Sequence, residues 1–134
     1  MKSVLISIKP YWFYLICERL KTIEIRKTFP KSVDWDRRTY LYCTKDMKSF
    51  NKIPSDKKGK YHKFFGNVGA SFLCDEIIDF NQEDYNCPGY DISDDDLKRA
   101  YLHCEDMFIY GKGKTLYGWH ISELKIYDEP KELC

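Results

Sequence analysis

A lysine, a threonine, a glutamate and an arginine fall close together at Lys21, Thr22, Glu24 and Arg26. If residues 22–27 run as a strand, alternation sends Ile23 and Ile25 to one face and Thr22, Glu24 and Arg26 to the other, with Lys21 at the entrance. Such a row suits an anionic or carbonyl-bearing ligand. The planar donor fork of Arg26 matches a phosphate, and Thr22 and Glu24 orient what Arg26 and Lys21 hold. The same row equally suits an internal Glu24–Arg26 pair, since long side chains two residues apart on a strand can meet. For Lys21 to act as base or nucleophile its pKa must be depressed by burial or a neighbouring cation; Arg26 supplies the cation and Glu24 opposes it.

A second set of chemistry-bearing residues is basic and aromatic. Lys9, Lys27, Lys45, Lys48, Lys52, Lys57, Lys58, Lys60 and Lys63 are interleaved with Tyr11, Trp12, Phe50, Tyr61 and Phe64. Cations neutralise phosphates and exposed aromatics stack on unpaired bases, a pattern suited to single-stranded or flexible RNA. A solvated lysine loop over core aromatics gives the same composition. The net charge of +1 conceals an asymmetry: residues 1–66 carry 16 Lys/Arg against 6 Asp/Glu, and residues 67–134 carry 6 against 15. A basic half fits a polyanion, and the acidic half, especially residues 79–96, fits a basic protein partner. Trp119 would border the polar row or fill the core, and His120 would act as acid or base only with a partner.

The elements that must position these groups follow from periodicity. Val4–Ile8 reads as a strand. Pro10 suits a helix start, and Trp12, Leu15, Ile16 and Leu20 recur at helical spacing. The second strand covers 22–27, a break falls at Phe29-Pro30-Lys31-Ser32, and Arg38–Thr44 is a third strand. Residues 45–63 read as a long polar loop. Val68–Cys74 is a strand that Ile77–Phe80 continues past a bend, and 81–92 is an acidic loop. Ser93 caps a helix whose apolar stripe is Leu97, Ala100, Tyr101 and Cys104. A helical turn near Met107–Tyr110, a strand Thr115–Ile121 and an edge strand Leu124–Tyr127 complete the chain. Five to six short strands with two or three helices give an α+β fold, read as a small mixed or antiparallel β-barrel.

The 134 residues suffice for a single domain with its own core. No apolar run reaches the roughly 18 residues of a membrane span, and the first residues do not read as a signal peptide. Of six cysteines, Cys17, Cys43 and Cys74 sit in apolar runs and no CxxC occurs, so reduced thiols and a cytoplasmic setting are expected. Three motifs mislead. Gly113-Lys114-Thr115 ends like a phosphate loop, but Phe108 holds the place of its first glycine and a strand follows. Asp94-Asp95-Asp96 complements a helix dipole. Cys87, His103 and Cys104 lack zinc spacing. No metal and no cofactor is expected.

Ile6-Ser7-Ile8-Lys9-Pro10, a short helix, and then Lys21-Thr22-Ile23-Glu24-Ile25-Arg26-Lys27 resemble the opening signature of the ASCH domain family, within the PUA-like group of small RNA-binding β-barrels. Tyr42-Cys43-Thr44-Lys45 and Leu116-Tyr117-Gly118-Trp119-His120 resemble later strands of small stand-alone members. The resemblance implies a PUA-like fold and a ligand cleft at the polar row. It also implies a glycine two residues before the lysine, where this chain has Arg19. Some bacterial members deacetylate acetylated cytidine with a lysine, a threonine and a glutamate, and ribonuclease activity is attributed to other relatives. In that scheme Lys21, Thr22 and Glu24 are the catalytic candidates: Lys21 matches, Glu24 replaces the inner threonine, and Ser71 occupies the expected glutamate's place. The function expected is binding of RNA or a nucleotide-like ligand. The cleft is formed by Lys9, Lys21, Thr22, Glu24, Arg26 and Lys27. Trp12, Trp119, Lys45, Lys57, Lys58 and Lys60 add contacts. A small hydrolase and a protein-binding adaptor are the alternatives.

Overall fold

The computed structural model describes residues 4–28, 38–80 and 90–131. Five strands are hydrogen-bonded in the order β1-β3-β4-β5-β2: β1 Val4–Ile8, β2 Ile23–Arg26, β3 Arg38–Cys43, β4 Val68–Asp79 and β5 Tyr117–Lys131. Five helices accompany them: α1 Pro10–Cys17, α2 Met47–Phe50, α3 Ser55–Tyr61, α4 Asp94–Ala100 and α5 Cys104–Gly111. The mixed α+β class is as expected, but the described strands form an open sheet in which β1 and β2 are the ends, not a closed barrel. The chain divides into two compact units. One comprises Met1–Arg19, Trp35–Leu73 and Glu123–Cys134; the other comprises Leu20–Asp34 and Cys74–Ser122.

In the first unit β1 runs parallel to β3, with Ile6 beside Leu41, and β3 pairs antiparallel with β4, with an irregularity between Leu41 and Tyr42. Helix α1 starts at Pro10, whose missing N–H costs nothing in the first turn. Its Phe13, Leu15 and Ile16 are buried. The Phe13 ring meets Phe64 at 5.3 Å and Tyr61 at 6.3 Å between centroids. Gly69 is required here, because a Cβ would stand 2.4 Å from the Phe13 ring. Residues 45–63, expected to be a loop, instead contain α2 and α3. The Asp46 carboxylate caps α2 by accepting the Ser49 N–H at 2.9 Å. Phe50, Ile53, Tyr61 and, just past its end, Phe64 anchor the segment in the core. Lysines between these anchors mask the pattern: four buried side chains at wide spacing suffice to fold a segment whose average composition is polar. Arg38 donates to the Ser71 hydroxyl at 2.8 Å and to the carbonyls of Ser71 and Glu123.

In the second unit β2 lies antiparallel to β5, pairing Ile23 with His120, Glu24 with Trp119, Ile25 with Gly118 and Arg26 with Tyr117. Ile23, Ile25, Phe80, Tyr90, Ile92, Leu97, Ala100, Met107 and Leu116 form its core. Gly118 permits the close fit, because a Cβ there would come within 2.8 Å of the Phe80 ring. The expected stripe Leu97, Ala100, Tyr101 and Cys104 does not lie on one helix. Helix α4 ends at Ala100, Tyr101 turns left-handed at φ 59, and Cys104 opens α5. The two expected C-terminal strands are one, β5. Half of the acidic segment proposed to meet a protein partner, residues 81–89 of 79–96, lies outside the described residues.

A buried polar row with an open rim

The polar row of β2 exists, but most of it faces protein. The Lys21 side chain is 2 % exposed. Its ammonium donates to the Ala100 carbonyl, while the neighbouring Thr22 N–H donates to the Arg99 carbonyl at 2.7 Å. Both carbonyls belong to the last turn of α4, whose final C=O groups have no partner within the helix. Lys21 and Thr22 therefore cap α4 from outside, and a cation at a helix C-terminus also meets the negative end of its dipole. The Thr22 carbonyl accepts from the Ile121 N–H at 2.9 Å, tying the same two residues to β5.

The Glu24 carboxylate sits between two cations, 3.6 Å from Lys21 and 3.6 Å from Arg26. The Glu24–Arg26 pair is thus internal. Burial holds the Lys21 ammonium below the ordinary lysine range, and Glu24 pulls in the opposite direction. Of the two routes to a depressed pKa that the sequence offers, burial and a neighbouring cation, burial is the one at work here. Arg26, by contrast, is only half-buried, and it opens the row at its far end.

At that end stands a residue the sequence reading did not single out. Tyr110, on α5, is 42 % exposed, and the exposed Lys27 ammonium lies 4.7 Å from its ring centroid, a cation–π contact. Burial raises the Tyr110 phenol above its usual range; Arg26 opposes and Glu24 adds to this, which places its hydroxyl in their field. The missed signal was an aromatic on a short helix read only as a possible turn. It becomes visible once α5 is brought beside the end of β2.

Trp119 is opposite Glu24 on the same face of the β2–β5 ladder, so it does border the row. However, its indole is 3 % exposed and donates to the Thr28 carbonyl at 3.1 Å. It is a wall of the site and offers no face for a base to stack on, which corrects its expected role. His120 lies on the opposite face of β5 and meets Asp75, with 2.6 Å between Nδ1 and Oδ1, so it has the partner that sequence alone could not supply.

Three of the basic residues of the other unit, Lys9, Lys57 and Lys60, are engaged with acidic ones. Glu18 receives Lys57 and Lys60 at 3.2 Å each, and the Tyr61 hydroxyl donates to it. Lys9 stands 3.8 Å from Asp46. The stem of exposed Lys45 covers Gly66, which is left-handed at φ 78. Lys58 is half-buried, and half-buried Trp12 tilts against Tyr11 at 5.4 Å between centroids. Ser71 is fully buried and committed to Arg38. Burial pushes the Cys17 and Cys43 thiols up to about 12, as befits unreactive core residues. Cys87 lies outside the described residues. Gly113 turns at φ 81 and leads into β5, so no helix follows the phosphate-loop-like triplet. Asp95 and Asp96 of α4 pair with Arg99. Among the described residues no three His, Cys, Asp or Glu cluster to hold a metal ion, and no helix is long and apolar enough to cross a membrane.

The open mixed sheet, the helix between β1 and β2, and the polar row of β2 together define a protein with the ASCH fold. Solved structures similar to it include those of the ASCH protein of Zymomonas mobilis. That protein covers 98% of this chain, with 74% of its own length aligned, at 17% identity and a TM-score of 0.62. Its tyrosine-to-phenylalanine variant gives a TM-score of 0.62 at 16% identity, covering 99% of this chain and 77% of that one. A serine-to-alanine variant gives 0.54 at 17% identity, covering 96% and 70%. No protein-family model and no curated protein matches the chain.

Proposed function

We propose that the protein is an ASCH/PUA-like module that binds single-stranded RNA or a nucleotide-like ligand at the rim of the β2 row. Arg26 and Lys27 contact phosphate, and Tyr110 offers its ring to a base. The observation that carries this reading is the Lys27 ammonium resting 4.7 Å over the exposed Tyr110 ring, with half-buried Arg26 next in the chain. A cation beside an exposed aromatic is the arrangement that tracks a nucleic-acid backbone while stacking its bases. Lys21, Thr22 and Glu24 then act as support: they tie β2 to the end of α4 and hold Arg26 in place. In the other unit Lys9, Trp12, Lys45, Lys57, Lys58 and Lys60 form a second set of candidate contacts. Those already paired with Glu18 or Asp46 contribute less, because each must give up a carboxylate to take a phosphate.

The test is fluorescence anisotropy of a labelled single-stranded RNA. The expected result is binding at low salt whose affinity falls linearly with the logarithm of salt concentration, because phosphate contact releases counterions. Absence of binding at low salt, or affinity indifferent to salt, overturns the reading.

A hydrolase acting on a modified nucleoside is the second reading, and one observation favours it: burial depresses the pKa of Lys21, as a catalytic amine requires. Turnover of acetylcytidine that Lys21→Ala abolishes, in protein shown to be folded, would establish it over plain binding.

A further inference from the structure

Helix α5 turns three faces to three surroundings. Met107 and Gly111 are buried in the core. Tyr110 lies beneath Lys27. The remaining face carries Glu105, Phe108, Ile109 and Lys112, residues spaced i, i+3, i+4 and i+7, which align as one stripe. Lys112 is the left-handed cap that follows the last turn, at φ 49, and its N–H donates to the Phe108 carbonyl at 3.1 Å, which holds the exposed lysine at the end of the stripe. Phe108 is 58 % exposed and Ile109 is 66 % exposed. The outward face of a surface helix is ordinarily polar, and large apolar side chains in sequence there mark an interaction surface.

The order of the stripe says what covers it. It reads acid, apolar, apolar, base, with Glu105 three residues before Phe108 and Lys112 three residues after Ile109. Turned end for end, it reads base, apolar, apolar, acid. We propose that this face docks on the same face of a second copy of the chain, the two α5 helices antiparallel about a twofold axis between Phe108 and Ile109. Glu105 then meets the partner's Lys112, Lys112 meets the partner's Glu105, and the Phe108–Ile109 pairs close the centre. This is the self-complementary pattern of a twofold interface. RNA suits the stripe less well, because Glu105 and the neighbouring exposed Asp106 repel phosphate at one end. A contact of two helical turns is smaller than a standard interface, so the association is weak and dependent on concentration. The inference does not rest on the RNA reading, since Tyr110, Arg26 and Lys27 lie off this stripe.

The experiment is sedimentation velocity over micromolar to millimolar protein, with Ile109→Asp, Glu105→Lys and Lys112→Glu. Wild type should shift from monomer towards dimer as concentration rises, and Ile109→Asp should stay monomeric. Each charge reversal alone should weaken the dimer about tenfold, because it sets like charges together at both contacts. An equal mixture of Glu105→Lys and Lys112→Glu chains should recover the dimer, since every contact then joins opposite charges. The mixing arm decides the matter even if Ile109→Asp misfolds. Wild type that is monomeric throughout, a mixture no tighter than its components, or Ile109→Asp that loses RNA binding with its mass unchanged would each overturn the proposal.

Discussion

Two carboxylates in this protein each lie between two cations, and their surroundings differ. Glu18 meets Lys57, Lys60 and Tyr61 at the surface of one unit, where the lysine side chains remain in contact with water. Glu24 meets Lys21 and Arg26 in the other unit, where Lys21 is almost wholly enclosed. In water, such a pair contributes little, because each ion was already well solvated. Enclosed, the ions have lost their hydration and depend on one another, so removal of one leaves the other stranded. The same arrangement of charges is thus a local clamp in one place and a structural requirement in the other. This is why the enclosed part of the β2 row is assigned to support and its open end to ligand.

The largest expected effect separates the two directly. Glu24→Gln should destabilise the protein by about 3–5 kcal/mol, the usual cost of breaking a buried pair. Glu18→Gln should cost about 1 kcal/mol, given its partially solvated partners. Urea unfolding of both variants measures the gap, and equal losses would erase the distinction between the regions.

The Glu18 cluster also has a pH signature. The hydrogen bond from Tyr61, more than the two lysines, lowers the Glu18 carboxyl from 4.5 to about 2. A carboxylate held below its unfolded value stabilises fully above that value and loses its contribution as pH falls. The stability difference between wild type and Glu18→Gln should therefore be constant above pH 4.5 and shrink towards pH 2. A difference that grows on acidification would contradict the assigned clamp.

The smallest effect concerns the approach to β2. Arg19 follows α1 at φ 63, the left-handed conformation that helix ends reserve for glycine. Arg19→Gly should stabilise the protein by about 0.5 kcal/mol, the relief of a side chain in that region less the entropy glycine adds to the unfolded chain. Thermal unfolding checks the sign.

The residues differ in how legible they were from sequence. The alternation of Ile23 and Ile25 against Thr22, Glu24 and Arg26 was readable, because a strand's two faces follow from its period. That both faces are covered was not, because the cover comes from the end of α4 and from Trp119, distant in sequence. The glycine implied before Lys21 was a correct signal of backbone shape: Arg19 takes that conformation without being glycine. The 45–63 segment misled because its lysines outnumber its three buried apolar anchors, Phe50, Ile53 and Tyr61. Tyr110 and the Phe108–Ile109 face were missed for the same reason as each other: α5 was read as a single turn, too short to have distinct faces.

The central claim is that ligand meets the open rim and not the enclosed row. Its most direct measurement is the RNA affinity of Tyr110→Ala and Lys27→Ala against wild type across a salt series. Tyr110→Ala should weaken binding by about 1–3 kcal/mol, the worth of one stacked base, with the salt slope unchanged. Lys27→Ala should lower that slope by about one counterion. Wild-type affinity and slope in both variants would place the RNA elsewhere and contradict the account.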